Sequence, residues 1–244
     1  MLNTYQEDLL LRTRDCDYQG TWRLSSIFEA MQEVSGVHSH LLGCGREVLF
    51  EMGIVWILSR VEVHIDAYPC IGDTVTVETF PVKNRRWFFP RYFVFKNSLG
   101  NRIGYACSLW ALLDIQTRKM ASPDVAIPFI PDNSSLELPM GLPSTVIEIG
   151  GEDTLLQRKP AYTDLDVNYH VNNAKYMDWL CDALGYELLK EKCIASVSVN
   201  YDAEVCPDQD MTLKLQRDGD AFSLFGFHKD KRHFEIGGIL QHRK

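Results

Sequence analysis

The chain has 244 residues, of which 45% are hydrophobic and 24% charged, and its formal net charge is −8. This length and apolar content suffice for one large domain or two domains of about 120 residues, and they exclude a disordered chain. The negative charge provides no general attraction to nucleic acid or to an anionic membrane surface, but it is compatible with a local basic patch.

The cysteines and the N-terminal segment predict a soluble cytoplasmic protein. There are seven cysteines, an odd number, and no C-x-x-C pair, which favours free thiols in a reducing compartment. The first twenty residues, "MLNTYQEDLLLRTRDCDYQG", are too acidic for a transit peptide, and their run "LLL" is too short for a signal peptide. No apolar run is long enough to span a membrane.

The first half of the sequence predicts a helix followed by strands. Residues 24–41 carry apolar side chains at helical spacing, which predicts one buried face. That predicted face comprises Leu24, Ile27, Phe28, Met31, Val34, Val37 and Leu41.

Four strand-like segments follow this helix. They are "GIVWILSRVEVHIDAY" at 53–68, "TVTVETFPV" at 74–82, "RYFVFKN" at 91–97 and "RIGYACSLWALLDIQT" at 102–117. The first alternates between apolar and polar residues, so one face of the strand is predicted to be buried. That face comprises Val55, Ile57, Val61, Val63 and Ile65.

A proline-rich segment separates the two halves. Five of the ten prolines lie in 123–143, and proline removes backbone donors and fixes φ. We therefore predict an extended linker over 123–160, between an N-terminal domain at 1–122 and a C-terminal domain at 161–244.

The second half repeats the order of helix and strands. A helix is predicted from about 173 to 190, and strand-like runs follow at 194–205, 211–230 and 232–243, with Asp218-Gly219 as a hairpin turn. The predicted inward face of the helix comprises Ala174, Met177, Leu180, Cys181 and Leu184.

The two halves also correspond residue by residue, which indicates a duplication of an α+β unit. The segment "DCDYQGTWRLSSIF" at 15–28 aligns without a gap with "DLDVNYHVNNAKYM" at 164–177, and "IDAYPC" at 65–70 resembles "YDAEVC" at 201–206. The matched pairs are Asp15 with Asp164, Asp17 with Asp166, Gln19 with Asn168, Thr21 with His170, and Tyr68 with Glu204. The differing chemistry predicts that one copy binds or scaffolds while the other reacts.

Three segments carry a resemblance to a known family: "DLDVNYHVNNAKYMDW" at 164–179, "NYDAEV" at 200–205 and "DYQGTWRLSSIFEAMQEVSGVHSHLLG" at 17–43. They resemble acyl-acyl carrier protein thioesterases of the plant FatA/FatB type and their bacterial relatives. The resemblance implies a double hotdog fold, in which each of two tandem units is a long helix wrapped by an antiparallel sheet. It also implies hydrolysis of acyl-acyl carrier protein without a cofactor, with the acyl chain in the N-terminal unit and the catalytic residues in the C-terminal one.

The resemblance assigns four site residues: Asp166, Asn168, His170 and Glu204. We interpret Glu204 as a buried general base whose pKa is raised by desolvation. Asn168 and His170, two apart in an extended segment, would orient the water or the thioester. Asp166 would hold Asn168 or a backbone amide, but Asp17 matches it in the other half, so a structural role shared by both aspartates stays open.

The nucleophile and the oxyanion site have alternatives of their own. Many plant members have cysteine directly after the glutamate, whereas this chain has Val205 there and Cys206 one step on, on the opposite face of a strand. A cysteine nucleophile is therefore disfavoured, and a carboxylate nucleophile stays open. The backbone N–H groups of Val171 and Asn172 are predicted oxyanion donors at a helix start, although Asn172 and Asn173 also suit helix capping.

Further expectations concern partners. A basic and aromatic run at 81–95 is a candidate docking site for an acidic carrier protein bearing a phosphopantetheine-linked acyl chain. Its basic residues are Lys83, Arg85, Arg86 and Arg91. Trp56, Trp87 and Trp110 are expected to border the core of the first half. The histidines lack metal-ligand spacing, so no metal is predicted.

Three alternative functions compete with the carrier-protein thioesterase. One is an acyl-CoA thioesterase of the same fold, another is a non-catalytic acyl-binding hotdog protein, and the third is a hotdog dehydratase. The dehydratase is disfavoured because that chemistry usually pairs His with an acid on a helix. The duplication already pairs two units, so a monomer would suffice and a homodimer is equally compatible.

Overall fold

The computed structural model describes residues 3–151 and 153–243. The chain forms two compact units, Met1–Pro143 and Ser144–Lys244, so the division falls inside the predicted linker. Each unit contains one main helix and a five-stranded antiparallel sheet.

The sheet of unit 1 has the strand order β1-β3-β4-β5-β2, with every neighbouring pair antiparallel. Its strands are β1 (Tyr5–Leu10), β2 (Ile54–Ile65), β3 (Thr74–Pro81), β4 (Phe89–Lys96) and β5 (Arg102–Asp114). Its helices are α1 (Leu24–Leu41) and α2 (Arg46–Glu51), and short 3₁₀ turns occupy Thr13–Asp15, Pro123–Val125 and Ile127–Phe129.

Helix α1 has the predicted bounds, and its buried face is confirmed over its first three turns. The prediction is wrong for Val37 and Leu41, which are 39% and 56% exposed. His38 is buried in that part of the helix instead, where its Nδ1 lies 3.0 Å from Nη1 of the buried Arg91. A polar partner on the sheet therefore determines which side of the last turns faces inward.

Strand β2 contains an irregularity, and the prediction of its buried face is wrong for two of the five residues. The pairing with β5 shifts register between Leu58 and Arg60, and an extra residue in one strand reverses the side-chain alternation beyond it. Val61, Val63 and Ile65 are buried as predicted, but Val55 and Ile57 are not. Ile54 and Leu58 are the buried residues before the shift.

The sheet of unit 2 has the order β7-β10-β9-β8-β6, again antiparallel throughout. Its strands are β6 (Thr154–Arg158), β7 (Lys192–Tyr201), β8 (Met211–Asp218), β9 (Ala221–His228) and β10 (Lys231–His242). Strand β6 lies in the segment predicted as a linker, so that prediction is wrong for these residues. The predicted turn at Asp218-Gly219 joins β8 to β9 and is confirmed.

The predicted second helix is interrupted, because Gly185 has a φ of +85° and ends one helix where the next begins. The two pieces are α3 (Lys175–Leu184) and α4 (Tyr186–Glu191). Along α3 the predicted face is buried except for Cys181, which is half-buried.

An aromatic cluster packs α3 against the sheet of unit 2. The Tyr176 ring lies 4.7 Å from the Phe234 ring and 5.4 Å from the Tyr201 ring, both edge-on, and Trp179 lies 5.5 Å from Tyr176. The Tyr201 hydroxyl donates a hydrogen bond of 2.9 Å to the carbonyl oxygen of Asn173, just before α3. The cluster thus anchors the start of the helix, which is where the predicted site residues converge.

Candidate active site

The segment carrying the predicted site residues is a closed turn. A 3₁₀ turn at Tyr162–Asp164 leads into it, and Leu165 pairs with Val171 as an isolated β-bridge. The N–H of Asp166 donates to the carbonyl of His170 at 2.9 Å, and Tyr169 adopts a left-handed φ of +66°. The prediction of an extended segment is therefore wrong, since the left-handed residue bends the chain between Asn168 and His170.

Asp166 holds this turn together. Its Oδ1 accepts a hydrogen bond of 2.8 Å from the Asn168 backbone N–H, and its Oδ2 lies 3.3 Å from Nδ2 of the Asn168 side chain. In unit 1, Asp17 accepts from the backbone N–H groups of Gln19 and Thr21, each at 3.0 Å. Both aspartates therefore shape their turns, and Asp166 also holds the amide of Asn168.

His170 and Glu204 lie in contact. His170 Nε2 is 3.3 Å from Glu204 Oε2, and the two side chains are 26% and 38% exposed. The expectation of a buried glutamate is therefore wrong. Glu204 also lies outside the strands, three residues beyond the end of β7, so its loop rather than strand alternation sets its direction.

A backbone hydrogen bond joins the two segments next to this contact. The N–H of Val171 donates to the carbonyl of Val205 at 2.9 Å, and each of these residues directly follows one member of the His170–Glu204 pair. Val205 is fully buried. The relative position of imidazole and carboxylate is consequently fixed by backbone as well as by side chains.

The predicted oxyanion donors are engaged elsewhere. The Val171 N–H is used in the bond to Val205, and the N–H of Asn172 donates to the carbonyl of Asp164 at 2.8 Å. An N–H satisfied by a backbone carbonyl has no hydrogen left to donate to substrate, so the prediction for these two amides is wrong. The side chain of Asn172 acts in the turn before α3, where its Oδ1 accepts from the N–H of Ala174 at 2.8 Å.

Asp164 ties the turn to α3. The side chain is buried, and its Oδ2 accepts from the Ala161 N–H at 2.9 Å and from Trp179 Nε1 at 3.3 Å. Arg158 Nη2 lies 3.7 Å from the same oxygen, and its guanidinium lies 5.3 Å from the Trp179 ring centroid. The carboxylate of the matching Asp15 accepts the corresponding backbone bond, from Arg12 N–H at 2.9 Å, and pairs with the exposed Arg14.

Unit 1 has the same backbone arrangement without the reactive pair. The N–H of Trp22 donates to the carbonyl of Pro69 at 2.9 Å, which corresponds to the bond between Val171 and Val205. At the position of His170 stands Thr21, whose hydroxyl donates to Asp17 at 2.9 Å. The imidazole–carboxylate pair is thus a property of unit 2.

The basic residues predicted for carrier docking divide into two groups. Lys83, Arg85 and Arg86 are exposed in the loop between β3 and β4. Arg91 is only 5% exposed, and its guanidinium contacts His38 and the hydroxyls of Thr79 and Ser39. The prediction is wrong for Arg91, because a buried group cannot meet a partner protein.

The tryptophans expected to border the core of unit 1 differ in their burial. Trp56 and Trp110 pack against a buried apolar cluster, and Trp56 meets Phe89 edge-on at 5.0 Å. Trp87 is exposed instead. The cluster comprises Leu49, Ile54, Phe89, Leu112 and Ala126.

Two general features of the described residues bear on chemistry. Over 3–151 and 153–243, three or more His, Cys, Asp or Glu side chains nowhere converge as a set able to hold a metal ion, and the helices are too short or too polar to cross a bilayer. Burial raises the pKa of Cys44 to about 11 and that of Cys107 to about 12, so these thiols are protonated at neutral pH.

Solved structures share this fold over nearly the whole chain. An acyl-ACP thioesterase from Bacteroides thetaiotaomicron superimposes with a TM-score of 0.88 and 23% identity, covering 98% of each chain. The 12:0-ACP thioesterase from Umbellularia californica superimposes with a TM-score of 0.85 and 20% identity, also over 98% of each chain. These similarities confirm the double hotdog fold class.

Sequence comparisons identify the family. Oleoyl-acyl carrier protein thioesterase 1 of Arabidopsis thaliana, a chloroplastic protein, is 25% identical over 229 residues, covering 87% of this chain and 63% of the relative. The FATB2 acyl-[acyl-carrier-protein] hydrolase of Cuphea viscosissima is 23% identical over 220 residues, covering 82% of this chain and 52% of the relative. The chain thus spans less than two thirds of these relatives. The family model of the acyl-ACP thioesterase N-terminal domain matches residues 2–126 and that of the C-terminal domain matches 148–235, and the chain therefore belongs to the acyl-ACP thioesterase family.

Proposed function

We propose that this protein hydrolyses acyl-acyl carrier protein to free fatty acid and carrier protein. The observation that carries the proposal is the contact of 3.3 Å between His170 Nε2 and Glu204 Oε2 on a turn shaped by Asp166. Membership of the acyl-ACP thioesterase family supports the choice of substrate.

In the proposed reaction, Glu204 is the general base. Its carboxylate takes a proton from water while the water oxygen bonds to the thioester carbonyl carbon. The tetrahedral intermediate then re-forms the carbonyl, the carbon–sulfur bond breaks, and the carrier's thiolate leaves with the electron pair. The proton held by Glu204 returns to the products. A thiol pKa of about 8.5 makes the thiolate a good leaving group, so little acid assistance is needed.

The other site residues position this reaction. His170 holds the Glu204 carboxylate through its Nε2, which fixes the direction from which the base meets water. Asn168 presents a side-chain amide whose Nδ2 is held by Asp166, and we assign it to orienting the water or the thioester carbonyl. Asp166 acts as a positioning residue, because its oxygens contact the turn rather than the reacting atoms.

Substitutions at the pair test the proposal. Glu204→Gln removes the proton acceptor while keeping the shape, and His170→Ala removes the group that holds it. We expect each to lower kcat on acyl-acyl carrier protein by about 100- to 10,000-fold, as expected for losing a general base or its orientation. Tyr68→Phe, at the matching position of unit 1, is the control and should retain turnover within about 2-fold of wild type. Turnover near the wild-type rate in folded Glu204→Gln would refute the assignment.

The substrate's two remaining parts are assigned to unit 1. We propose that the acyl chain lies beside the apolar cluster bordered by Trp56 and Trp110. We also propose that the acidic carrier protein docks on the exposed Lys83, Arg85 and Arg86, since complementary charge accelerates association despite the net charge of −8.

Paired assays on carrier-bound and CoA-bound acyl chains test the docking site. The double variant Arg85→Glu, Arg86→Glu should raise KM for the carrier-protein substrate and weaken its dependence on salt. KM for the matched acyl-CoA, which lacks the protein partner, is the internal control. A carrier-protein KM and salt response equal to wild type would remove this loop from the docking surface. Preference for acyl-CoA by the wild-type enzyme would favour the acyl-CoA thioesterase instead.

A further inference from the structure

His233, on β10, is a buried histidine beside the candidate site. It is 3% exposed, and its Nδ1 lies 2.8 Å from the backbone carbonyl oxygen of Glu204. A carbonyl oxygen only accepts hydrogen bonds, so Nδ1 carries the proton and donates it. The imidazole therefore contacts the residue assigned as the base, at its main chain.

The main chain of His233 holds the neighbouring residues as well. Its carbonyl oxygen accepts from the N–H groups of Asp202 and Ala203, each at 2.9 Å. Residues 202–204 are thus bound in succession by one residue of the adjacent strand. Arg232 reinforces the attachment, because its Nε donates to Asp202 Oδ2 at 2.8 Å.

Unit 1 contains the same attachment without the imidazole. The carbonyl of Ile103 accepts from the N–H groups of Asp66 and Ala67 at 2.9 and 3.1 Å, and Arg102 pairs with Asp66 at 3.7 Å. Ile103 therefore occupies the position of His233, and both are buried. The attachment of the loop does not itself need a histidine, and the histidine occurs in the unit that carries the His170–Glu204 pair.

Charge at His233 is suppressed by its surroundings. Burial is the main cause that lowers the pKa of His233, with Lys231 and His228 adding to the effect and the Glu204 carbonyl and Asp202 opposing it. The ring is therefore a neutral donor at neutral pH, as a hydrogen bond to a carbonyl requires.

We propose that His233 is a positioning residue for Glu204, whose backbone it holds through Nδ1 so that the carboxylate stays against His170. The proposal rests on Glu204 being the base. Without the imidazole the peptide of Glu204 loses its side-chain tether, while the bonds to Asp202 and Ala203 remain. The carboxylate then samples directions away from His170 and water, and a misplacement of about 1 Å lowers the rate of reaction strongly.

Three substitutions and a control test this role. His233→Ile reproduces the residue of unit 1 and should lower kcat by about 10- to 100-fold with KM changed less than about 2-fold. His233→Asn places an amide N–H where Nδ1–H stood and should recover kcat to within about 5-fold of wild type, whereas His233→Gln, with its donor further out, should not. Ile103→Val in unit 1 is the control and should leave kcat unchanged.

The outcomes separate this proposal from the proposed function. Wild-type kcat in folded His233→Ile, with Glu204→Gln inactive, overturns the positioning role alone. An active Glu204→Gln overturns the assignment of the base itself. Where His233→Ile does not fold, the Asn and Gln variants decide: a faster Asn variant supports the role, and equal rates overturn it. In the Glu204→Gln background, adding His233→Ile should give no further loss of kcat, and a further loss of 10-fold or more refutes coupling through Glu204.

Discussion

Asp164→Ala should destabilise the protein substantially, because this buried carboxylate has three kinds of contact. The bond from the Ala161 N–H at 2.9 Å is charge-assisted and contributes about 2 kcal/mol, and the longer bond from Trp179 Nε1 at 3.3 Å contributes about 1 kcal/mol. The ion pair with Arg158 adds little, since that side chain is 32% exposed and solvent screens it. The total of about 3 kcal/mol corresponds to a fall in Tm of about 6–12 °C for a chain of this size.

Asp15→Ala is the matched control for this experiment. Asp15 accepts the equivalent backbone bond at 2.9 Å from the Arg12 N–H, but its side chain is 29% exposed and its ion pair is with the exposed Arg14. Loss of such a cap costs about 1 kcal/mol, or about 2–4 °C in Tm. Thermal unfolding of both variants by scanning calorimetry measures the difference. Equal shifts in Tm would refute the idea that Trp179 and burial strengthen the Asp164 bonds.

Three further substitutions and a change of pH should alter stability in defined directions. Gly36→Ala lies in the interior of α1 with open space around the added Cβ, and it should raise Tm by stabilising the helix by about 0.5–1 kcal/mol. Gly185→Ala places a side chain at φ +85°, so it should lower the free energy of unfolding by about 1–3 kcal/mol and lower Tm. Tyr169→Gly should raise Tm, because it removes about 1 kcal/mol of left-handed backbone strain. Since burial lowers the folded-state pKa of His233, the unfolded chain binds the proton first, so the free energy of unfolding should fall as pH drops below about 6.5. The free energy of unfolding, measured by urea titration at several pH values between about 5 and 7, should depend less steeply on pH in His233→Asn than in wild type. An unchanged pH dependence would contradict this reasoning.

Periodicity was enough to locate α1, because its apolar spacing reports a face packed on a sheet. The same reasoning failed along β2, where the register shift after Leu58 exchanges the two faces. A bulge adds one residue without changing composition, so alternation read through it assigns the wrong face on one side. The actual pattern, with Ile54 and Leu58 before the shift and Val61 after it, is visible in the sequence only when the bulge is known.

Strand β6 escaped prediction for a different reason. It is five residues long and pairs with β8, at the end of the sheet order in unit 2. Its side chains are mostly exposed, including Leu155, so burial imposes no alternation on its sequence. A short edge strand is specified by its backbone partner, and that partner lies more than fifty residues further along the chain.

The side chains of the candidate site could be named from the sequence, but its backbone hydrogen bonds could not be predicted. The resemblance to the thioesterase family assigns both His170 and Glu204 to the site, the comparison of the two halves singles out the same positions, and the structure brings the two side chains to 3.3 Å. The amides of Val171 and Asn172 could not be judged in the same way, because their acceptors are carbonyls of Val205 and Asp164. Which N–H groups remain available depends on how two distant segments pair, and that is a property of the folded turn.

The duplication separates the residues that shape the turn from those assigned to the proposed reaction. The same backbone hydrogen bonds form in both units although the side chains at those positions differ. The acids that shape the turns, Asp17 and Asp166, are present in both units as well. His170, Glu204 and His233 stand where unit 1 has threonine, tyrosine and isoleucine within the same bonds. A framework that forms with either set of residues gives no folding reason for two imidazoles and a carboxylate to gather in one unit. Their convergence in unit 2 is therefore best explained by the proposed reaction. This convergence supports assigning His233 to the same site as the His170–Glu204 pair.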